Sequence, residues 1–350
     1  MARRKDSEES ALAPLETFLG EPADPLPWQA TSWAALASRR RQGRLPHALL
    51  LAGDEGLGQM RFARRLVASL LCRQPGGDFE ACGQCAACRQ FAAGAHPDFV
   101  LLAPEEPGKA IRIDPLRSFC TDLTLTGSEG GPKIGLIAPA DALNAAAANA
   151  LLKTLEEPPG DALILLVTHR PALLPVTVLS RCQRLSFTAP TRDEALSWLR
   201  EQLPAGADAA PLARWLTLAN GAPLRALTLI EQADTLGEGF WSALTALVAG
   251  RGDVTRLARE MAKLEPRAVL QSMQYWFADL FRARLGLPPM ALLIDATLAA
   301  ALDLQALVAY HQELVRAAAL AQHPLNRELF FEGLFAGLGR LDRSATLRLE

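Results

Sequence analysis

The apolar positions fall into two regimes along the chain. From His47 onward, short apolar runs of strand length alternate with longer stretches of helical period. Ala48-Leu49-Leu50-Leu51-Ala52 is unbroken and stops at Gly53, the pattern of a parallel strand covered on both faces. A helix is predicted over Gln59 to Leu71. Further strands are predicted at Asp98–Leu102, Lys133–Ala138, Leu163–Val167 and Arg184–Phe187. The Ala- and Leu-rich stretch from Asn144 to Leu155 reads as a helix that ends before Pro158-Pro159, because proline cannot continue it. Strands alternating with helices predict an α/β module with a parallel sheet. Beyond Pro190 the strand runs cease. Helical segments follow, punctuated by Gly or Pro, and Thr191 with Glu194 three residues on forms a capping-box start.

Residues 1–27 mix charge, Ser and Pro and are read as a mobile tail. The α/β module is expected over 28–190, a small helical domain over 191–235 and a second helical domain over 236–350. Half of the 350 residues are apolar, 21% are charged and the net charge is −2, so a chain that coats nucleic acid unaided is not expected. No apolar run reaches the roughly 18 residues that a membrane span requires, and Met1-Ala2-Arg3-Arg4-Lys5 leads into acidic residues rather than a signal-type apolar core; a cytoplasmic protein is expected.

The first strand runs into Gly53-Asp54-Glu55-Gly56-Leu57-Gly58-Gln59-Met60, which has the spacing of a phosphate-binding loop in its strand–loop–helix context. A working loop places lysine and then Ser/Thr where Gln59 and Met60 stand. Gln59 carries no charge for a phosphate and Met60 offers no hard oxygen for magnesium, while Asp54 and Glu55 repel a polyphosphate. The strand that should end in magnesium-holding acids ends in Ala138-Pro139, with Asp141 three residues late. The two losses point to a retired ATPase site.

Asn149-Ala150-Leu151-Leu152-Lys153-Thr154-Leu155-Glu156-Glu157-Pro158-Pro159, followed by Leu179-Ser180-Arg181-Cys182, resembles bacterial clamp-loader subunits of the AAA+ class over about residues 28–340. Gln59, Met60 and Ala138 narrow the likeness to the subunit of that class that does not hydrolyse ATP, rather than to the gamma/tau motor subunit. The resemblance implies an α/β P-loop NTPase-like (AAA+) module with an inserted zinc-binding loop, a helical lid and a helical collar. The implied partners are the gamma/tau motor subunits and delta, with the sliding clamp and primer–template DNA reached through the complex, part of the DNA polymerase III holoenzyme. It also implies that Arg181, flanked by Ser180 and Cys182, reaches toward ATP on a neighbouring subunit. A guanidinium suits that role because it stays charged and presents a planar fork of donors. Fingers of this kind are worth about 10³–10⁵ in rate. Leu224 falls at the family's sensor-2 position, with Arg225 one residue late; Thr168 is read as a strand-end cap.

Cys72, Cys82, Cys85 and Cys88 are spaced C-x9-C-x2-C-x2-C, as for a closed, structural zinc site of four thiolates spanning 72–88. Free thiols and an iron–sulfur cluster are the alternatives. With only Arg73 and Arg89 as local cations, a loop that reads DNA is disfavoured. Cys120 and Cys182 are read as packing residues, His47 and His96 as core or turn residues, and Trp198, Trp215, Trp241 and Trp276 as helix packing. Two other functions stay open: an active P-loop ATPase in which Gln59 replaces lysine, and a zinc-dependent nucleic-acid module around residues 72–102.

Overall fold

A computed structural model of the chain describes residues 15–21, 24–106, 108–127, 131–204, 209–288, 294, 296–321 and 325–341. The chain divides into two compact units, Met1–Pro190 and Thr191–Glu350.

In the first unit, helices α1 (residues 15–20) and α2 (Ala30–Arg41) precede β1 (Ala48–Ala52), α3 (Gln59–Leu71), α4 (Ala86–Ala92), β2 (Phe99–Leu102) and α5 (Ile113–Thr124). Then come β3 (Ile134–Ile137), α6 (Ala145–Glu156), β4 (Leu163–Thr168), α7 (Val176–Leu179) and β5 (Gln183–Ser186). The five strands are parallel, in the order β2-β3-β4-β1-β5, with Ala52 paired to Thr168 and to Ser186. This is the α/β P-loop NTPase-like arrangement expected. β1 and β4 are buried throughout, as interior strands of a sheet covered on both faces must be. Successive side chains alternate between faces, so Ala48, Leu50 and Ala52 join the core formed with Leu116, Phe119 and Leu123 of α5 and Leu151 and Leu155 of α6. On the other face α3 packs against β1 and β4, and its buried Phe62 lies edge-on to Trp33 of α2 and to Phe187.

The expected mobile tail of 1–27 is too long. Residues 1–14 lie outside the described residues, but Phe18 of α1 is fully buried, stacked on Phe99 at 5.4 Å and edge-on to Phe91 at 6.2 Å. Burial of an aromatic ring outweighs the Pro- and charge-rich composition around it.

The second unit is helical: α8 (Arg192–Gln202), α9 (Ala209–Leu218), α10 (Pro223–Val248), α11 (Val254–Met261), α12 (Pro266–Arg284), α13 (Ala296–Ala301), α14 (Leu304–Leu320) and α15 (Arg327–Leu338). Thr191 Oγ1 accepts from the Glu194 N–H at 3.3 Å, so the predicted cap is in place. α10 is broken at Gly237, whose φ of 70° and ψ of 167° are not helical. Trp276 and Phe277 of α12 and Phe331 and Phe335 of α15 centre the core of α10–α15. Among the described residues, no helix is long and apolar enough to cross a membrane.

Candidate functional site

The loop from Gly53 to Met60 joins the C-terminal end of β1 to α3. Gly56 and Gly58 adopt left-handed φ of 87° and 85°, which favours glycine, and Gly58 caps α3. Gln59 folds back across the loop. Its side chain is buried, and Nε2 donates to the Asp54 carbonyl at 2.9 Å, while Oε1 accepts from no described residue. A Cβ at Gly53 would lie 2.5 Å from the Phe187 carbonyl oxygen and 2.9 Å from Gln59 Nε2, so only glycine lets the chain beyond β5 and the Gln59 amide close this tightly. From the other side, Trp28 Nε1 donates to the Leu57 carbonyl at 3.0 Å, and Gln29 Nε2 donates to the Leu57 and Gly58 carbonyls at 2.9 Å each. The loop is thus held on two sides by neutral donors. Met60 is half-buried at its exit, and Gly53–Met60 contains no Lys or Arg.

Beside the loop, across the Ala52–Thr168 pair, stands a second polar group that sequence reasoning missed. The side chain of Thr168 is wholly buried. Its hydroxyl donates to Asp141 Oδ1 at 2.7 Å and accepts from the Arg170 N–H at 3.0 Å. Arg170 Nε donates to Asp141 Oδ2 at 2.9 Å, and its Nη2 pairs with the same oxygen at 2.7 Å. The Asp141 side chain is only 2% exposed, and both of its oxygens are engaged by protein donors, one of them cationic. Thr168 does more than cap a strand: it ties the acid after β3 to the end of β4.

Arg181 lies between α7 and β5, at the N-terminal end of the sheet, whereas the Gly53–Met60 loop leaves the C-terminal end. Its Nε donates to Glu156 Oε1 at 2.7 Å and its Nη2 pairs with the same oxygen. Nη1 donates to the Thr177 carbonyl at 2.9 Å and lies 3.4 Å from Ser180 Oγ. Ser180 is exposed, with its hydroxyl turned back to the Thr177 carbonyl at 3.1 Å. Cys182 points the opposite way, into the core, and burial pushes its thiol up to about 11, which suits packing rather than nucleophilic chemistry. On the segment leading to Arg181, Leu173 and Val176 are 60% and 78% exposed.

The four cysteines converge. Their sulfurs all lie within 4.8 Å of one another, with Cys72–Cys85 and Cys82–Cys88 each at 4.0 Å. A tetrahedron of sulfurs around a metal at about 2.3 Å has edges of roughly 3.8 Å, so the set can hold a metal ion. Backbone N–H groups of Cys82, Cys85 and Cys88 donate to the sulfurs of Cys72, Cys82 and Cys85 at 3.2, 3.3 and 3.5 Å, as suits thiolate acceptors. Burial raises the Cys85 thiol, but backbone donors at Cys88 and Arg73 and the neighbouring thiols outweigh it and bring the group down to about 6. Burial and the hydrogen bonds to Cys85 and Cys72 take Cys88 up to about 12. The loop is fastened to the fold independently of a metal. Arg65 pairs with Glu80 and lies 3.7 Å over the Trp33 ring, which stacks on Phe79 at 5.7 Å.

The remaining residues singled out serve the fold. His47 Nε2 contacts the Leu155 carbonyl at 2.9 Å, and His96 Nδ1 accepts from the Asp98 N–H at 3.1 Å. Arg225 donates to the Tyr275 hydroxyl at 3.0 Å, and Leu224 is half-buried beside it. Glu156, Asp141, Arg170, Trp28 and Gln29 have no local sequence signal for the parts they play, since their partners lie 25 or more residues away.

Residues 28–191 match the family described as "DNA polymerase III, delta subunit". The chain is 38% identical over 263 residues to DNA polymerase III subunit delta' of Pseudomonas aeruginosa, covering 73% of this chain and 76% of that protein. It is 38% identical over 206 residues to the subunit of the same name in Escherichia coli, covering 59% of this chain and 60% of the relative. It is also 32% identical over 240 residues to DNA polymerase III subunit tau of Escherichia coli, covering 66% of this chain and 36% of that protein.

Proposed function

The chain belongs to the DNA polymerase III delta' family, and from that premise we propose that it serves the clamp loader without hydrolysing ATP, extending Arg181 in trans to nucleotide held by a neighbouring gamma/tau motor subunit. One observation carries the proposal: Arg181 and the Gly53–Met60 loop stand at opposite ends of the same parallel sheet. Five-residue β1 spans roughly 16 Å at about 3.3 Å per residue, farther than an arginine reaches. An arginine so placed does not reach a phosphate held at the chain's own loop, which supports a role toward one that another molecule brings. The exposed Leu173 and Val176 on the same segment support a partner surface there.

The chain's own loop is unsuited to hydrolysis. Gln59 supplies a neutral amide already bonded to Asp54 where a lysine charge is required, Met60 cannot ligate magnesium, and Asp141 has both oxygens committed. Four converging cysteine sulfurs, three of them accepting N–H donors, suit zinc, held by Cys72, Cys82, Cys85 and Cys88 in a closed structural site. In the second unit, the break at Gly237 supports a division into a lid over 191–235 and a collar from 236. On α14, Leu304, Val308 and Val315 form an exposed apolar stripe separate from the buried Leu307, Tyr310 and Leu314, a surface for collar contact with motor subunits and delta. Through that assembly the chain would help load the sliding clamp onto primer–template DNA in the cytoplasm.

The test is DNA-stimulated ATP turnover by the reconstituted complex carrying either the wild-type chain or Arg181→Ala. Removal of a trans-acting arginine is expected to lower turnover at the adjacent site by about 10³-fold or more. Normal assembly with unchanged turnover would refute the proposal.

A further inference from the structure

We infer that Glu156 is the positioning residue for Arg181, setting the guanidinium so that its terminal nitrogens face an incoming phosphate; this rests on the proposed role of Arg181. Arginine has five N–H donors on a rigid plane. The inner edge, Nε and Nη2, is turned onto Glu156 Oε1, and Nη1 is drawn to the Thr177 carbonyl at 2.9 Å. Among the described residues, an N–H of Nη2 stays uncommitted, and Nη1 has only the longer 3.4 Å contact to Ser180 besides Thr177. The end of the fork is therefore open while the side of it is fixed. A phosphate takes two donors from that end without displacing the carboxylate.

The placement of Glu156 fits this work. It is the last residue of α6, which packs against α7, so the carboxylate is presented from the end of one helix and the arginine from the turn that follows the other. The Glu156 side chain is 51% exposed and that of Arg181 33%, so the pair adds little to stability. Its effect is orientation: a long side chain with several free rotamers is held in one of them before the partner arrives, which removes that ordering from the cost of docking.

Glu156→Gln keeps the shape and one acceptor but loses the charge. In the full complex it should lower kcat for DNA-stimulated ATP turnover by roughly 3- to 10-fold, the margin of a charge-assisted over a neutral hydrogen bond, with KM for ATP within about twofold. Glu156→Asp, which keeps the charge, should be less impaired. In an Arg181→Ala background, Glu156→Gln should have no further effect, because it acts through the arginine. Unchanged or faster turnover with Glu156→Gln, while Arg181→Ala is slow, overturns the inference and leaves the role of Arg181 standing. An equal loss with Arg181 already removed assigns Glu156 a structural part and overturns it as well. Full turnover with Arg181→Ala overturns the proposed function itself.

Discussion

Thr168→Val isolates the polar tie between the ends of β3 and β4. Valine matches threonine in shape, so the substitution leaves packing intact and deletes only a hydroxyl that is fully buried. That hydroxyl makes two bonds. One runs to the Asp141 carboxylate at 2.7 Å, and a bond to a charged group contributes about 1.5–3 kcal/mol. The other accepts the Arg170 N–H at 3.0 Å and contributes about 1 kcal/mol, less where water reaches that amide. The expected destabilisation is therefore about 2–4 kcal/mol. The two compact units need not unfold together, so a whole-chain melt is unsuitable. The assay is hydrogen exchange by mass spectrometry in graded urea, following the peptide that carries β4 (Leu163–Thr168). Asp141→Asn completes a double-mutant cycle, and the pair should couple by more than about 0.5 kcal/mol. A loss below about 1 kcal/mol, or simple additivity, would show that Asp141 does not depend on Thr168.

Chelation in the presence of a thiol reagent should release one zinc per chain, and Cys85→Ser should abolish tight binding while β1–β5 keep their far-ultraviolet signature, because Trp33, Arg65 and Phe79 still fasten the loop. Gly53→Ala brings a Cβ to 2.5 Å from the Phe187 carbonyl oxygen, so a loss of roughly 1–3 kcal/mol is expected from hydrogen exchange of the β1 peptide (Ala48–Ala52) in graded urea, and a variant as stable as wild type would contradict the packing. The Cys182 thiol stays neutral in the fold to about pH 11 but ionises near its ordinary value of 9.0 when unfolded. Its contribution to stability is thus complete below pH 9, falls between pH 9 and 11, and amounts to about 2–3 kcal/mol at 1.36 kcal/mol per pH unit. The urea transition of the first unit alone, Met1–Pro190, compared at pH 8 and pH 11, should show that wild type loses this much more than Cys182→Ala; parallel losses would refute it.

The sheet was legible because β1 to β4 are apolar runs cut off by Gly, Pro or charge, whereas β5 is the mostly exposed Gln183–Ser186, and the Gln59–Leu71 helix lies where its periodicity puts it. The strand edges moved by only a residue or two, as at Leu163–Thr168, where the buried hydroxyl of Thr168 extends β4 beyond the apolar run. The spacing of Cys72, Cys82, Cys85 and Cys88 was enough to foresee their convergence, since two tight C-x2-C steps leave little choice. The Asp141–Thr168–Arg170 group was hidden for a physical reason. Its members are joined by the pairing of strands distant in sequence, and no local pattern encodes which acid meets which hydroxyl. Glu156 stood in plain view within a recognised string, yet its partner is 25 residues away. The helix at residues 15–20 was missed because three apolar residues among prolines and acids look like tail until Phe99 and Phe91 offer a place for Phe18.

The backbone of Gly237 occupies a corner of conformational space that side chains with a Cβ do not enter, although no atom of the described residues lies within 4 Å of where that atom would be. Among the described residues, then, the obstacle to replacing it is intrinsic to the backbone and owes nothing to neighbours. An alanine there would find its least strained course in a straight, uninterrupted helix, carrying everything after residue 237 along a new heading. The bearing on which the last hundred or so residues set out is written in a single missing methyl group.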